Sequence, residues 1–155
     1  EFYLKIIFLF SFIALISAFF IEYIPGHQPC NLCLIERIPY GLSIMIIMAI
    51  FLIRKNQKFL VMLLILTFIF SFAISFYHFG IEQGFFQESS VCGVKSSTEI
   101  VTKEDLLKQL SEKTISCKDV TFRIFGLSLT SINIVISLLF IITLLKIFKK
   151  YEKNK

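Results

Sequence analysis

The chain has 155 residues, a hydrophobic fraction of 56%, a mean hydropathy of +0.80 and a net charge of +5. That length suits one domain, and so apolar a composition excludes a soluble globular protein, where apolar usage stays near half with glycine included. The positive charge sits in one short cluster and in the tail, beside apolar blocks, which disfavours nucleic-acid binding and reads as a topology signal.

Four apolar blocks follow in chain order. The first covers 6–24, behind Lys5. It exceeds the ~7–15 apolar residues of a signal-peptide core, and no small-x-small cleavage site follows it, so it reads as a span. The second, 34–53, carries Glu36, Arg37 and Pro39 in its first two turns. Proline is tolerated near a helix start, where backbone donors lack intrahelical partners. The third block covers 59–78 and the fourth 125–145. Each offers about 20 residues, enough for a helix to cross a ~30 Å hydrocarbon core. Apolar residues occur all round each block, not at every second position, which excludes the strands of an outer-membrane barrel. The expectation is all-α: an integral membrane four-helix bundle, one four-span domain over 1–155, with a long external loop at 79–124. In that loop Thr102 and Asp105 resemble a helix start, and Leu106, Leu107 and Leu110 make one apolar stripe, predicting a short amphipathic helix. The chain opens at Glu1, not methionine, so a few upstream residues are expected.

The loops set the orientation. Arg54, Lys55 and Lys58 fill the tight link between spans two and three. The tail carries Lys146, Lys149, Lys150, Lys153 and Lys155 against Glu152 alone. Segment 79–124 has six basic and seven acidic residues. Cationic loops stay in the cytoplasm, so both termini are expected inside and all four cysteines outside, on the side where disulfides persist.

Cys30 and Cys33 form a C-x-x-C at the start of span two; Cys92 and Cys117 lie in the long loop. Zinc ligation is disfavoured, because the second pair lacks the close spacing of a zinc ribbon. A C-x-x-C bridge closes too small a loop to be a useful staple. A redox dithiol is the remaining use of the first pair. The second pair, from spacing alone, is either a redox pair or a structural bridge contributing about 3 kcal/mol by loop closure. If a helix begins near Cys33, Arg37 is its i+4 neighbour, and a cation there favours the thiolate. The alternative for Arg37 is an interfacial arginine reaching to headgroups.

Three motifs then resemble the DsbB family of quinone-dependent disulfide-generating membrane proteins. They are Pro29-Cys30-Asn31-Leu32-Cys33-Leu34-Ile35-Glu36-Arg37, Tyr77-His78-Phe79-Gly80-Ile81-Glu82, and Phe125-Gly126-Leu127-Ser128-Leu129-Thr130 followed by Asn133. The order of the cysteine pairs separates the chain from the vitamin K epoxide reductase group, whose loop pair precedes its C-x-x-C.

The resemblance implies a bacterial inner-membrane protein with disulfides Cys30–Cys33 and Cys92–Cys117. Cys92 would be attacked by a reduced periplasmic partner, a DsbA-like thioredoxin-fold dithiol oxidase. Cys117 would resolve that adduct, with a bridge to Cys30 as intermediate. Cys33 would pass electrons to a quinone, ubiquinone or menaquinone, with Arg37 stabilising the thiolate and the quinone oxygen and His78 flanking the quinone head. No metal is implied. Glu22 stands where a neutral polar residue is expected and receives no role. From another class, the chain would be a disulfide-stapled structural subunit or a small-molecule carrier. Quinone reduction driven by a thioredoxin-fold partner separates the two classes.

Overall fold

The computed structural model describes residues 2–24, 29–53, 56–87, 92, 117, 123–124 and 127–153. Five helices are present among them: α1 (Phe2–Tyr23), α2 (Asn31–Ile35), α3 (Ile38–Leu52), α4 (Gln57–Glu82) and α5 (Leu129–Lys153). Strands β1 (Arg123–Ile124) and β2 (Leu127–Ser128) pair antiparallel just ahead of α5. The short helix expected around 102–110 lies outside the described residues. Four stretches are long and apolar enough to cross a membrane, with α2 and α3 together forming the second. The fold is therefore an all-α membrane bundle.

Spans two and four differ from the sequence reading in instructive ways. The second is two helices. Pro39, near the start of α3, has no N–H to offer the carbonyl of Ile35, and Arg37 N–H turns back to Leu34 O, one residue short of the α-helical register. The fourth begins at Leu129, not at 125, because Ser128 acts as its cap: the Ser128 hydroxyl accepts from Ser131 N–H at 3.2 Å. At the turn between spans two and three, Asn56 takes a left-handed conformation (φ 66°) that asparagine tolerates.

The bundle is built round α4, which packs on α3 and α5, while α1 packs on α3. Phe10 of α1 meets Phe140 of α5 edge-on at 5.4 Å, and Phe68 of α4 meets the same ring at 5.0 Å. One apolar cluster, including Leu4, Ile7, Ile47, Leu64, Phe68 and Leu144, fills the end of the bundle that holds the N-terminus, with Lys58 lying over the Phe148 ring. A second, smaller cluster of Cys30, Leu32, Ile81, Cys92 and Cys117 fills the other end.

Between the clusters lies a polar layer. Ser43 donates to Ser11 at 3.0 Å and Ser71 meets Ser137 at 3.2 Å, each pair joining two helices. Small hydroxyl residues at such contacts let helix backbones approach closely in a bilayer, where apolar burial alone gives no preference for protein over lipid. Many large apolar side chains, Phe12, Ile16, Phe70 and Leu139 among them, consequently point outward. Helices that are apolar all round are the mark of a membrane span.

Candidate functional site

The polar layer joins the cysteine cluster through the first two motifs. Cys30 caps α2: its sulfur accepts from Cys33 N–H at 3.3 Å. Across the bundle, α4 brings His78, whose Nε2 lies 3.7 Å from the same sulfur and whose Nδ1 is 2.9 Å from Glu36 Oε1. Glu36 Oε2 in turn accepts from Asn133 Nδ2 at 3.2 Å. Asn133 also donates to Ser75 at 2.7 Å and accepts from the Tyr40 hydroxyl. The chain of contacts Cys30–His78–Glu36–Asn133 thus spans α2, α4 and α5.

The loop cysteines close over this arrangement. Cys92 and Cys117 are 1% and 2% exposed, and both lie in the cluster with Cys30. Cys117 packs with Cys92 and Leu32 in that cluster. Its Sγ, Cys30 Sγ and a His78 ring nitrogen all lie within 4.8 Å of one another. All four cysteines are free thiols. Hydrogen bonding from Cys33, then from His78, holds the Cys30 thiol well below its ordinary range in spite of burial. Burial first, and the neighbouring Cys92 second, push the Cys117 thiol upward.

The second motif accounts for much of the site's outer wall. Ile81 is buried against the cysteines. Gly80 leaves room for the Phe86 ring, which stacks on Tyr77 at 5.7 Å, and its carbonyl accepts from Phe85 N–H (2.8 Å) and Phe86 N–H (3.1 Å). Gly84, at φ +77°, allows that reversal of the chain. Glu82 accepts from Thr130 of the third motif through Oε1.

The structure gives Arg37 and His78 protein partners that the sequence reading does not name. Because the helix breaks at 36–37, Arg37 does not continue the turn above Cys33. Its guanidinium binds Glu22 Oε2 at 2.5 Å and lies 5.3 Å over the Phe19 ring. Glu22, left without a role by the sequence, is the ion partner of Arg37. His78 has both ring nitrogens directed at protein groups, Cys30 and Glu36, so it faces the dithiol. The sequence motifs contain Glu36, Glu82 and Asn133 without assigning them a role, and nothing in the sequence marks Tyr40. For the two acids the available signal was ionisable side chains in membrane-spanning segments, which default to a functional reading.

Residues 1–147 match the family model described as Disulfide bond formation protein DsbB. The chain is also 32% identical over 147 residues to the Uncharacterized protein RP370 of Rickettsia prowazekii (strain Madrid E), covering 94% of this chain and 86% of that one. Since the family match takes in the first four helices, most of α5 and all four cysteines, the chain belongs to the DsbB family, membrane oxidoreductases acting on thiols in disulfide-bond formation.

Proposed function

We propose that the protein re-oxidises a soluble periplasmic thioredoxin-fold dithiol oxidase and delivers the electrons to a membrane quinone. The observation that carries this reading is the meeting of Cys30 and Cys117, drawn from opposite halves of the chain to within 4.8 Å of each other. That separation lets a disulfide pass from one pair to the other without rearranging the bundle.

In the oxidised resting state, with Cys30–Cys33 and Cys92–Cys117 bridged, a thiolate of the partner attacks Cys92. A mixed disulfide forms and the Cys117 sulfur leaves with the electron pair. Burial raises its thiol, which makes the freed thiolate a strong nucleophile and also a slower leaving group from Cys92. Cys117 then attacks Cys30, and Cys33 leaves carrying two electrons. The partner's second thiolate attacks its own sulfur in the mixed disulfide and leaves as the partner's disulfide. The freed Cys92 thiolate attacks Cys117 and releases Cys30, and loss of two electrons and two protons from the Cys30–Cys33 dithiol restores that bond. The net change is loss of two electrons and two protons from the partner dithiol. A quinone, when bound, supplies the two-electron, two-proton sink and reaches the site through the bilayer.

The residues present fit such a group. Among the described residues the Arg37 guanidinium bonds only Glu22, leaving other N–H donors of its fork for a carbonyl oxygen. Phe19, over which the guanidinium lies, and Leu34 and Ile38, near Arg37 in the chain, are exposed apolar side chains.

The test is quinone reduction by purified protein supplied with a reduced thioredoxin-fold partner. Cys117→Ser is expected to accumulate a mixed disulfide between Cys92 and that partner on non-reducing gels. Adducts that form at Cys117 when Cys92 is replaced, and none at Cys92, would reverse the assignment of attacked and resolving sulfurs. Failure of any thiol partner to drive quinone reduction would sink the function.

A further inference from the structure

We propose that the fully reduced protein holds a zinc ion, or another thiophilic divalent cation, on Cys30 Sγ, Cys117 Sγ and His78 Nε2. The three ligand atoms lie within 4.8 Å of one another and all three residues are buried. Cys30 Sγ and His78 Nε2 are 3.7 Å apart. Two ligands of a tetrahedral zinc, at ~2.3 Å for sulfur and ~2.0 Å for nitrogen, stand about 3.5 Å apart. The observed pair needs almost no movement to share a metal.

Two further features point to a cation. His78 directs Nδ1 at Glu36 Oε1, 2.9 Å away, and Glu36 is itself held by Asn133. A carboxylate behind the distal ring nitrogen fixes the tautomer that presents the Nε2 lone pair to a metal, the usual outer support of a zinc-bound histidine. Glu82 supplies the second feature. Its side chain is 6% exposed, Oε1 lies 4.0 Å from His78 Nε2, and Oε2 has no hydrogen-bond partner among the described residues. A buried carboxylate oxygen left without a donor is costly, and a cation beside His78 would answer it. Glu82 is a candidate for a fourth ligand.

Binding depends on redox state. Zinc displaces one proton from each of the two thiols and moves no electrons. A disulfide at Cys30 or Cys117 withdraws that sulfur from the metal. The ion therefore competes with oxidation and locks the dithiol form, a reversible block on thiol exchange. Only this inhibitory consequence rests on the proposed function; the binding itself rests on the geometry.

Purified protein, reduced with a phosphine and freed of reductant, is titrated with zinc chloride, and with cadmium chloride to read the thiolate-to-metal charge-transfer absorbance. One equivalent is expected to bind the reduced protein and none the oxidised protein. His78→Gln and Cys117→Ser should each weaken binding by at least about tenfold, whereas Cys33→Ser should leave it unchanged. Alkylation of the reduced wild type, mapped by mass spectrometry, keeps the test valid should a variant fold poorly: zinc should protect Cys30 and Cys117 and leave Cys33 reactive. Protection of Cys30 and Cys33 together, with Cys117 unprotected, would assign the metal to the C-x-x-C alone and overturn the proposal, as would binding equal in the oxidised protein. Because binding is read without quinone or partner, a negative result leaves the proposed function standing, and absent quinone activity leaves the metal site standing.

Discussion

Arg37→Met, alone and combined with Glu22→Gln, distinguishes a catalytic charge from a counter-ion. The two side chains are 17% and 25% exposed and their closest atoms are 2.5 Å apart. Exposed pairs contribute only ~0.2–1 kcal/mol, while stranding one member of a fully buried pair costs about 3–5 kcal/mol. At this intermediate burial, Arg37→Met is expected to cost about 1–3 kcal/mol by leaving Glu22 unpaired. The double variant removes both charges and should recover most of that loss. Turnover should behave otherwise. If the guanidinium stabilises negative charge developing on the quinone, Arg37→Met lowers quinone reduction by at least tenfold, which is ~1.4 kcal/mol of transition-state stabilisation, and weakens apparent quinone affinity. The double variant then stays as slow as the single one. Arg37→Lys should be intermediate, since it keeps the charge and loses the planar donor fork. The assays are steady-state quinone reduction, giving kcat and KM, and unfolding in mixed detergent micelles. Recovery of wild-type turnover in the double variant would refute the catalytic reading and leave Arg37 as the neutralising partner of Glu22.

Asn133→Leu removes bonds to Tyr40, Ser75 and Glu36; at ~0.6–1.7 kcal/mol for each such bond in a membrane bundle, the loss is about 2–5 kcal/mol. A detergent-unfolding change below about 1 kcal/mol would show that the polar layer does not hold the helices together. Gly80→Ala drives a methyl group into the Phe86 ring, so it should release the stacking on Tyr77, at a cost of about 0.5–1.5 kcal/mol, and speed alkylation of the cysteines beneath. Unchanged alkylation rates would remove Phe86 from the cover of the site. A reporter fused after Lys155 should be active only in the cytoplasm, following the cationic loops. In the folded reduced protein Cys92 and Cys117, nearly without exposure, should react slowly with a membrane-impermeant thiol reagent applied from outside, and quickly after denaturation. A cytoplasmic location for either would overturn both orientation and function.

The four spans were legible in the sequence because the relevant signal is local. A block of about 20 apolar residues can satisfy its backbone in a bilayer only as a helix. The C-x-x-C was equally legible, since its chemistry follows from two thiols a turn apart. What the sequence could not settle is how each helix is rotated about its axis. Spans that are apolar all round carry no stripe to mark the inward face, and lipid rewards no particular one. Tertiary packing made that choice. It turned His78 to Cys30, 48 residues away, and Asn133 to Glu36, 97 residues away, where the few polar groups of the bundle find one another because hydrocarbon offers them no partner. The break at 36–37 has a local cause in Pro39, but only packing decided that Arg37, taken off the face of Cys33, meets Glu22 of α1.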